Sequence, residues 1–112
     1  KSVTKMPSTI ATIDTNSIVS NTSWIREHAP KSRISAVVKN NAYGHGVNIV
    51  AKSVENLVDG FSVATVDEGV ELRKTVAKKP IWVLTGFSTR DELADIADLD
   101  LVPVVHSEFQ IE

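Results

Sequence analysis

The sequence predicts an α/β fold built on a parallel sheet, and three observations carry that expectation. Four short apolar runs, Ile34–Val38, Phe61–Ala64, Ile81–Leu84 and Leu101–Val105, are continuous rather than alternating, as strands covered on both faces are. Helical periodicity fills the intervals: Val47, Val50, Ala51, Val54 and Leu57, then Val66, Val70, Leu72 and Val76, then Leu93, Ile96 and Ala97. Two helix starts carry capping-box spacing, Thr65 with Glu68 and Thr89 with Glu92, in which a hydroxyl and a carboxylate satisfy orphan backbone N–H groups. The order of elements is therefore βαβαβαβ.

Ahead of the first parallel strand, Thr9-Ile10-Ala11-Thr12-Ile13-Asp14 alternates like a strand with one exposed face, one that need not join the parallel sheet. A helix is expected from Asn16 to His28, closed by Pro30. Past the fourth strand, Ser107-Glu108-Phe109-Gln110 repeats the capping-box spacing and announces another helix. A closed (β/α)8 barrel takes eight such units and about 250 residues. The sequence thus reads as the N-terminal half of a TIM-type barrel, truncated after about its fourth strand. The competing architecture is a small open α/β domain of the doubly wound kind.

Composition narrows the partners. With 112 residues, 42% hydrophobic and 23% charged, the chain is one ordinary globular domain at most. A net charge of −2 and the lack of any Lys/Arg block with interleaved aromatics argue against a nucleic-acid partner. Cysteine is absent, which removes disulfides, thiolate metal sites and thiol nucleophiles and fits a reducing, cytoplasmic setting. No apolar run approaches the ~20 residues that cross a bilayer, and Lys1 to Pro7 lacks the apolar stretch of a signal peptide.

The densest chemical signal is Ser35-Ala36-Val37-Val38-Lys39-Asn40-Asn41-Ala42-Tyr43-Gly44-His45-Gly46. Lys39 ends a buried strand, and in parallel α/β folds the carboxyl ends of strands open onto the site, with Val37 and Ser35 sharing the lysine's face. An apolar cleft disfavours the ammonium form and leaves an amine lone pair, as a Schiff-base lysine requires. Tyr43 offers a phenolic O–H to a phosphate or to the lysine nitrogen, and the glycines after it allow a tight turn. Taken by itself, a lysine before an Asn/Gly turn is more often a solvated side chain. His45 reads as a turn or capping histidine, and His28 and His106 have no partners at metal-ligand spacing. Asp67-Glu68 and Asp91-Glu92 read as first-turn capping charges, Lys78-Lys79 as a solvated loop, and Trp24 and Trp82 as packing residues.

The run from Ala36 to Gly46 closely resembles the pyridoxal-phosphate (PLP) lysine signature of the alanine racemase family. The likeness extends to Ala11-Thr12-Ile13-Asp14 as its opening strand, to Ser62 through Arg73 as its second βα unit, and to Pro80-Ile81-Trp82-Val83-Leu84 as its third strand; Leu101–Ser107 fits the fourth strand more loosely. In that family an N-terminal barrel binds PLP, the first strand belongs with a mostly β C-terminal domain, and a homodimer completes each site. The resemblance therefore implies a first strand in residues 1–14 and a partial PLP-binding barrel in residues 15–112. It implies Lys39 as the cofactor lysine and one catalytic base, Tyr43 against the cofactor phosphate and the lysine, Val37 and Leu84 along the cofactor pocket, and no metal. Asn40 departs from the family, which commonly places alanine there. The tyrosine serving as second base, the arginine at the pyridine nitrogen and much of the phosphate cup lie, in the family, beyond position 112.

The function so implied is interconversion of L- and D-alanine, supplying D-alanine for peptidoglycan. A serine or broad-specificity racemase is an alternative, because side-chain selectivity rests on pocket residues outside this stretch. A non-enzymatic PLP-binding barrel protein is another, although those proteins lack the Asn-Ala-Tyr-Gly-His-Gly continuation. A structural or interaction module on the same scaffold would not respond to PLP. As a fragment, the chain is expected to be inactive alone and to self-associate through its uncovered sheet.

Overall fold

Each of the four apolar runs supplies a strand, and the strands share one sheet. A computed structural model describes residues 9–111 and assigns β1 to Ser35–Val37, β2 to Gly60–Val63, β3 to Ile81–Val83 and β4 to Val102–Pro103. All pairings are parallel, in the order β1-β2-β3-β4, with Val37 opposite Ser62, Val63 opposite Val83 and Trp82 opposite Val102. This order decides between the two expected architectures. A doubly wound sheet reverses direction at a switch point, whereas a barrel keeps adding strands to the same edge. The sheet is an arc of a (β/α) barrel.

The connecting helices are α1 (Thr15–His28), α2 (Lys39–Tyr43), α3 (Val47–Val54), α4 (Val66–Arg73), α5 (Glu92–Asp98) and α6 (Glu108–Ile111). Asp14 caps α1 by accepting the Ser17 amide at 3.2 Å and the Ser17 hydroxyl at 2.8 Å. The hydroxyl, and then the amide, hold the Asp14 carboxyl below the usual carboxylate range. At α4 the expected capping box is complete, with Thr65 Oγ1 accepting the Glu68 amide and Glu68 reaching back to the Thr65 amide.

The strand period of two separates the faces of the sheet. Phe61, Val63, Ile81 and Val83 point at the helices and are fully buried among Val54, Val58, Val66, Leu72 and Val76. Burying side chains of this size contributes about 1.5–3 kcal/mol each, so the layer between sheet and helices dominates the stability. The opposite face is open: Val37 and Leu84 are 41% exposed, and Val102 and Val104 40%. Apart from β2, whose four residues are all buried, the continuous apolar runs thus correspond to burial against the helices on one side. In a barrel the other side is covered by the remaining strands. Trp82 packs over Gly60, where a Cβ would come within 2.9 Å of the indole.

Several expectations change. Of the first strand expected in residues 1–14, residues 1–8 lie outside the described residues, and residues 9–14 have no ladder partner among the described ones, the partner that alternation needs to become a strand. β1 and β4 are shorter than the apolar runs that announce them, and Pro103 has no N–H to extend β4. At α5 only half of the Thr89/Glu92 box forms: Glu92 Oε1 accepts the Ser88 amide at 2.9 Å and the Thr89 amide at 3.1 Å, but no side chain caps the helix N–H groups in return. At α6 Gln110 Oε1 accepts the His106 amide at 2.7 Å, one residue ahead of the expected Ser107. Trp24 is not a core residue; it is 59% exposed and stacks on His28 with 3.9 Å between ring centroids. Lys79 is not merely solvated, since its ammonium donates to the Val58 carbonyl at 3.0 Å.

Candidate functional site

The chain leaves β1 at Val38, which is buried at 3% exposure and donates its amide to the Ser62 carbonyl at 2.9 Å. Lys39 follows at once, at the carboxyl end of the strand, and is half-buried. The next residues then do something the sequence does not announce. Asn40 (φ 52°, ψ 50°), Asn41 (φ 55°, ψ 45°) and Ala42 (φ 54°, ψ 48°) are left-handed, and Tyr43 follows at φ 56°. α2 is a turn of left-handed helix made of ordinary L-residues, a conformation that costs about 1–2 kcal/mol per residue.

Such a turn persists only where its surroundings over-determine it. Within it, the Ala42 amide donates to the Val38 carbonyl at 3.0 Å and the Gly44 amide to the Asn40 carbonyl at 3.0 Å. Ala42 is buried at 5% exposure, next to Val38 in the core. Asn41 Oδ1 accepts the Val47 amide at 2.9 Å, satisfying a first-turn N–H of α3. His45 Nδ1 lies 3.1 Å from the Ala42 carbonyl oxygen, which can only accept, so the Nδ1 carries the proton. The Asn40 amide donates to Glu68 Oε2 at 2.7 Å, tying the turn to the start of α4. Gly44 and Gly46 complete the exit at φ 86° and 94°, values that L side chains rarely adopt.

Helical backbone of either hand has about 3.6 residues per turn, so positions four apart leave it on one side. Val38 and Ala42 take the buried side of α2. Lys39 opens this turn and Tyr43 closes it, the lysine half-buried and the tyrosine 59% exposed. Among the described residues Lys39 belongs to neither ion pair, these being Arg26–Asp59 and Lys74–Glu71, so no carboxylate occupies its amine. Val37 lies two residues before Lys39 on the open face, and Leu84 follows the end of β3 on that same face. All four residues singled out by the sequence, Lys39, Tyr43, Val37 and Leu84, thus stand at the carboxyl end or on the open face of the sheet. Ser35, on the lysine's face of β1, pairs hydroxyls with the buried Ser62 at 2.7 Å.

The other titratable candidates are elsewhere. His28 is on α1, His106 has its Nε2 2.8 Å from the Thr85 carbonyl, and Asp91-Glu92 begin α5. A cavity of about 280 Å³ is lined by Val38, Asn41, Val63, Asp67, Glu68 and Glu71 among others, but neither Lys39 nor Tyr43 reaches it. Sequence reasoning gave Glu68 a capping role only. The available signal was that a capping carboxylate has a second oxygen to place.

Comparison with known proteins agrees with this arrangement. Residues 13–112 match the family described as alanine racemase, N-terminal domain. The alanine racemase of Actinobacillus succinogenes is 43% identical over 102 residues, a stretch covering 91% of this chain and 28% of that protein. The alanine racemase structure from Acinetobacter baumannii superposes with a TM-score of 0.81 at 32% identity, over 88% of this chain and 27% of that one. That from Bartonella henselae, with covalently bound pyridoxal phosphate, gives 0.81 at 31% identity, over 88% and 28%. The chain therefore spans about 28% of the length of the curated relatives it matches. A parallel sheet in barrel order, a lysine at the end of its first strand and a family match across nearly the whole chain together establish that this chain belongs to the alanine racemase family, within its N-terminal domain.

Proposed function

We propose that this segment forms the PLP-lysine part of an alanine racemase, with Lys39 as the residue that holds the cofactor. The observation that carries the reading is the place of Lys39 at the carboxyl end of a parallel strand, with Tyr43 closing the same short turn and an open apolar face beside it. The donor set suits PLP: a primary amine for its aldehyde, a phenolic O–H for its phosphate, and Val37 and Leu84 as apolar surface for its ring. When bound, PLP supplies the electron sink that stabilises the carbanion left by loss of an amino acid's α-proton.

The remaining work falls to side chains. Lys39 Nζ would hold the cofactor and, whenever its amine is free of it, would carry a proton to or from the substrate α-carbon on the face it occupies. Tyr43 orients the phosphate and limits the movement of the amine. Val37 and Leu84 exclude water from the reacting face. Inversion needs a second proton carrier on the opposite face, and we assign that part to the region of the native protein beyond residue 112, together with a second subunit that completes the site. We further infer that the native protein is cytoplasmic and that L- and D-alanine are its substrates, with the D-isomer supplied for peptidoglycan.

Lysine mapping tests the reading. The native protein, freed of bound cofactor, is mixed with PLP, reduced with borohydride and mapped by peptide mass; selective modification of Lys39 over the surface lysines is expected. Scattered modification would reject Lys39 as the cofactor residue. In the native protein, Lys39→Ala is expected to abolish racemisation while leaving the circular dichroism unchanged.

A further inference from the structure

We propose that Glu68 is a positioning residue for Lys39, an inference that deepens the proposed function and rests on it. Glu68 Oε1 accepts the amides of Ala64 at 2.7 Å and Thr65 at 3.2 Å, which closes the capping box of α4. That task uses one carboxylate oxygen. Oε2 is left for a partner outside the helix, and it accepts the Asn40 amide at 2.7 Å.

The N–H it takes belongs to the peptide unit joining Lys39 to Asn40. The plane of that unit is set by ψ of Lys39 on one side and by φ of Asn40, +52°, on the other. One bond here restrains the backbone that carries the amine, and it does so where the chain first turns to positive φ. The frame supplying the carboxylate is itself fixed, because Val66, Gly69 and Leu72 of α4 are buried. Lys39 is thereby referenced to the end of β2 and the start of α4 as well as to its own strand.

A carboxylate is required for this double use. Glutamine has one acceptor oxygen and a donor NH2, so it can serve the two loop amides or Asn40 but not all three. Glutamine is also accepted in a capping box, so Glu68→Gln keeps the cap and gives up the link to Asn40. Thr65→Ala does the reverse, removing the hydroxyl that accepts the Glu68 amide at 3.2 Å while leaving both carboxylate oxygens.

The test compares these variants in the native protein carrying this segment, by amide hydrogen exchange at Asn40 and by the rate at which PLP with borohydride modifies Lys39. In that trapping, Nζ condenses with the aldehyde carbon with loss of water, and hydride makes the C–N bond permanent. Glu68→Gln is expected to speed exchange at Asn40 and to slow trapping at Lys39, each about tenfold, with surface lysines unaffected and the melting temperature lowered no further than by Thr65→Ala. Thr65→Ala is expected to lower the melting temperature and to trap at the parent rate. A glutamine variant that traps like the parent with Asn40 still protected overturns the positioning role and leaves Glu68 a capping residue. One that melts far below the parent overturns it too, because the carboxylate would then hold the fold rather than the lysine. Unselective trapping in the unsubstituted protein rejects the cofactor reading itself, an outcome distinct from both.

Discussion

Asp59, immediately before β2, accepts the Ile34 amide at 2.7 Å and the Arg26 guanidinium at 2.9 Å. The Ile34 amide first, and the guanidinium second, hold its carboxyl below the ordinary value of 3.8. A carboxyl whose folded pKa is depressed adds stability above its unfolded pKa and loses it as pH falls through the folded one. Asp59→Asn is therefore expected to be less stable than the parent at neutral pH, with the gap closing as acid protonates the parent's carboxylate. Urea midpoints across the acid range measure this, and a gap that stayed constant with pH would rule out titration of Asp59 as its source. At this scale the sequence is legible in where Lys39 and Tyr43 stand, at the carboxyl end of a parallel strand and in the short turn after it. It is silent on the hand of the turn between them. Asn40 and Asn41 tolerate positive φ, but Ala42 and Tyr43 have no such leaning, so propensity alone forecasts an ordinary turn. The bond from Asn40 to Glu68 joins residues 28 apart, beyond the reach of any local rule.

The returns from three strands are each closed by a side chain in the first turn of the following helix. Glu68 accepts loop amides after β2, Glu92 after β3 and Gln110 after β4. Gln110 also donates to the Phe87 carbonyl at 2.8 Å, which joins the loops after β3 and β4. Gly86 lies in that junction at φ 70°, where an added Cβ would sit 2.5 Å from the Val104 carbonyl oxygen and from Gln110 Nε2. The amide end can swing aside, but the backbone carbonyl cannot. Gly86→Ala is thus expected to destabilise the fold by about 2–3 kcal/mol, read as a lower urea midpoint. An unchanged midpoint would mean that the two loops are not held at this separation. Strands and helices are visible in the sequence because burial imposes a period; their ends are not, because a ladder or a cap needs a partner. Residues 9–14 and the half-made box at Thr89 illustrate this. Arg73 is the clearest hidden element-level contact, its guanidinium donating to the carbonyls of Val76, Lys79, Leu99 and Asp100 and so binding the end of α4 to two later connections.

Taken together, the described residues form a slab of 55 × 46 × 22 Å with a radius of gyration of 16.6 Å. A compact domain of about this length has a radius near 13 Å. The difference follows from one layer of helices on a four-stranded arc whose other face carries Val37, Leu84, Val102 and Val104 in the open. Residues 1–112 taken as a separate polypeptide are expected to self-associate through this face in sedimentation velocity, and Leu84→Lys with Val104→Lys to reduce it. A single monomeric boundary at high concentration would count against the face as an association surface. The sequence leaves two architectures open at this scale because periodicity names strands without ordering them. The register of β1 through β4 supplies the order.

The backbone of α2 is the mirror image of common helical backbone, so from Asn40 to Tyr43 the chain has the local shape of a peptide built from D-residues. Amine and phenol are therefore met in the opposite rotational sense to that in which a right-handed helix would present them. Grafting Lys39-Asn40-Asn41-Ala42-Tyr43 onto an ordinary helix would reproduce the spacing of the two groups and reverse their handedness toward whatever lies between them.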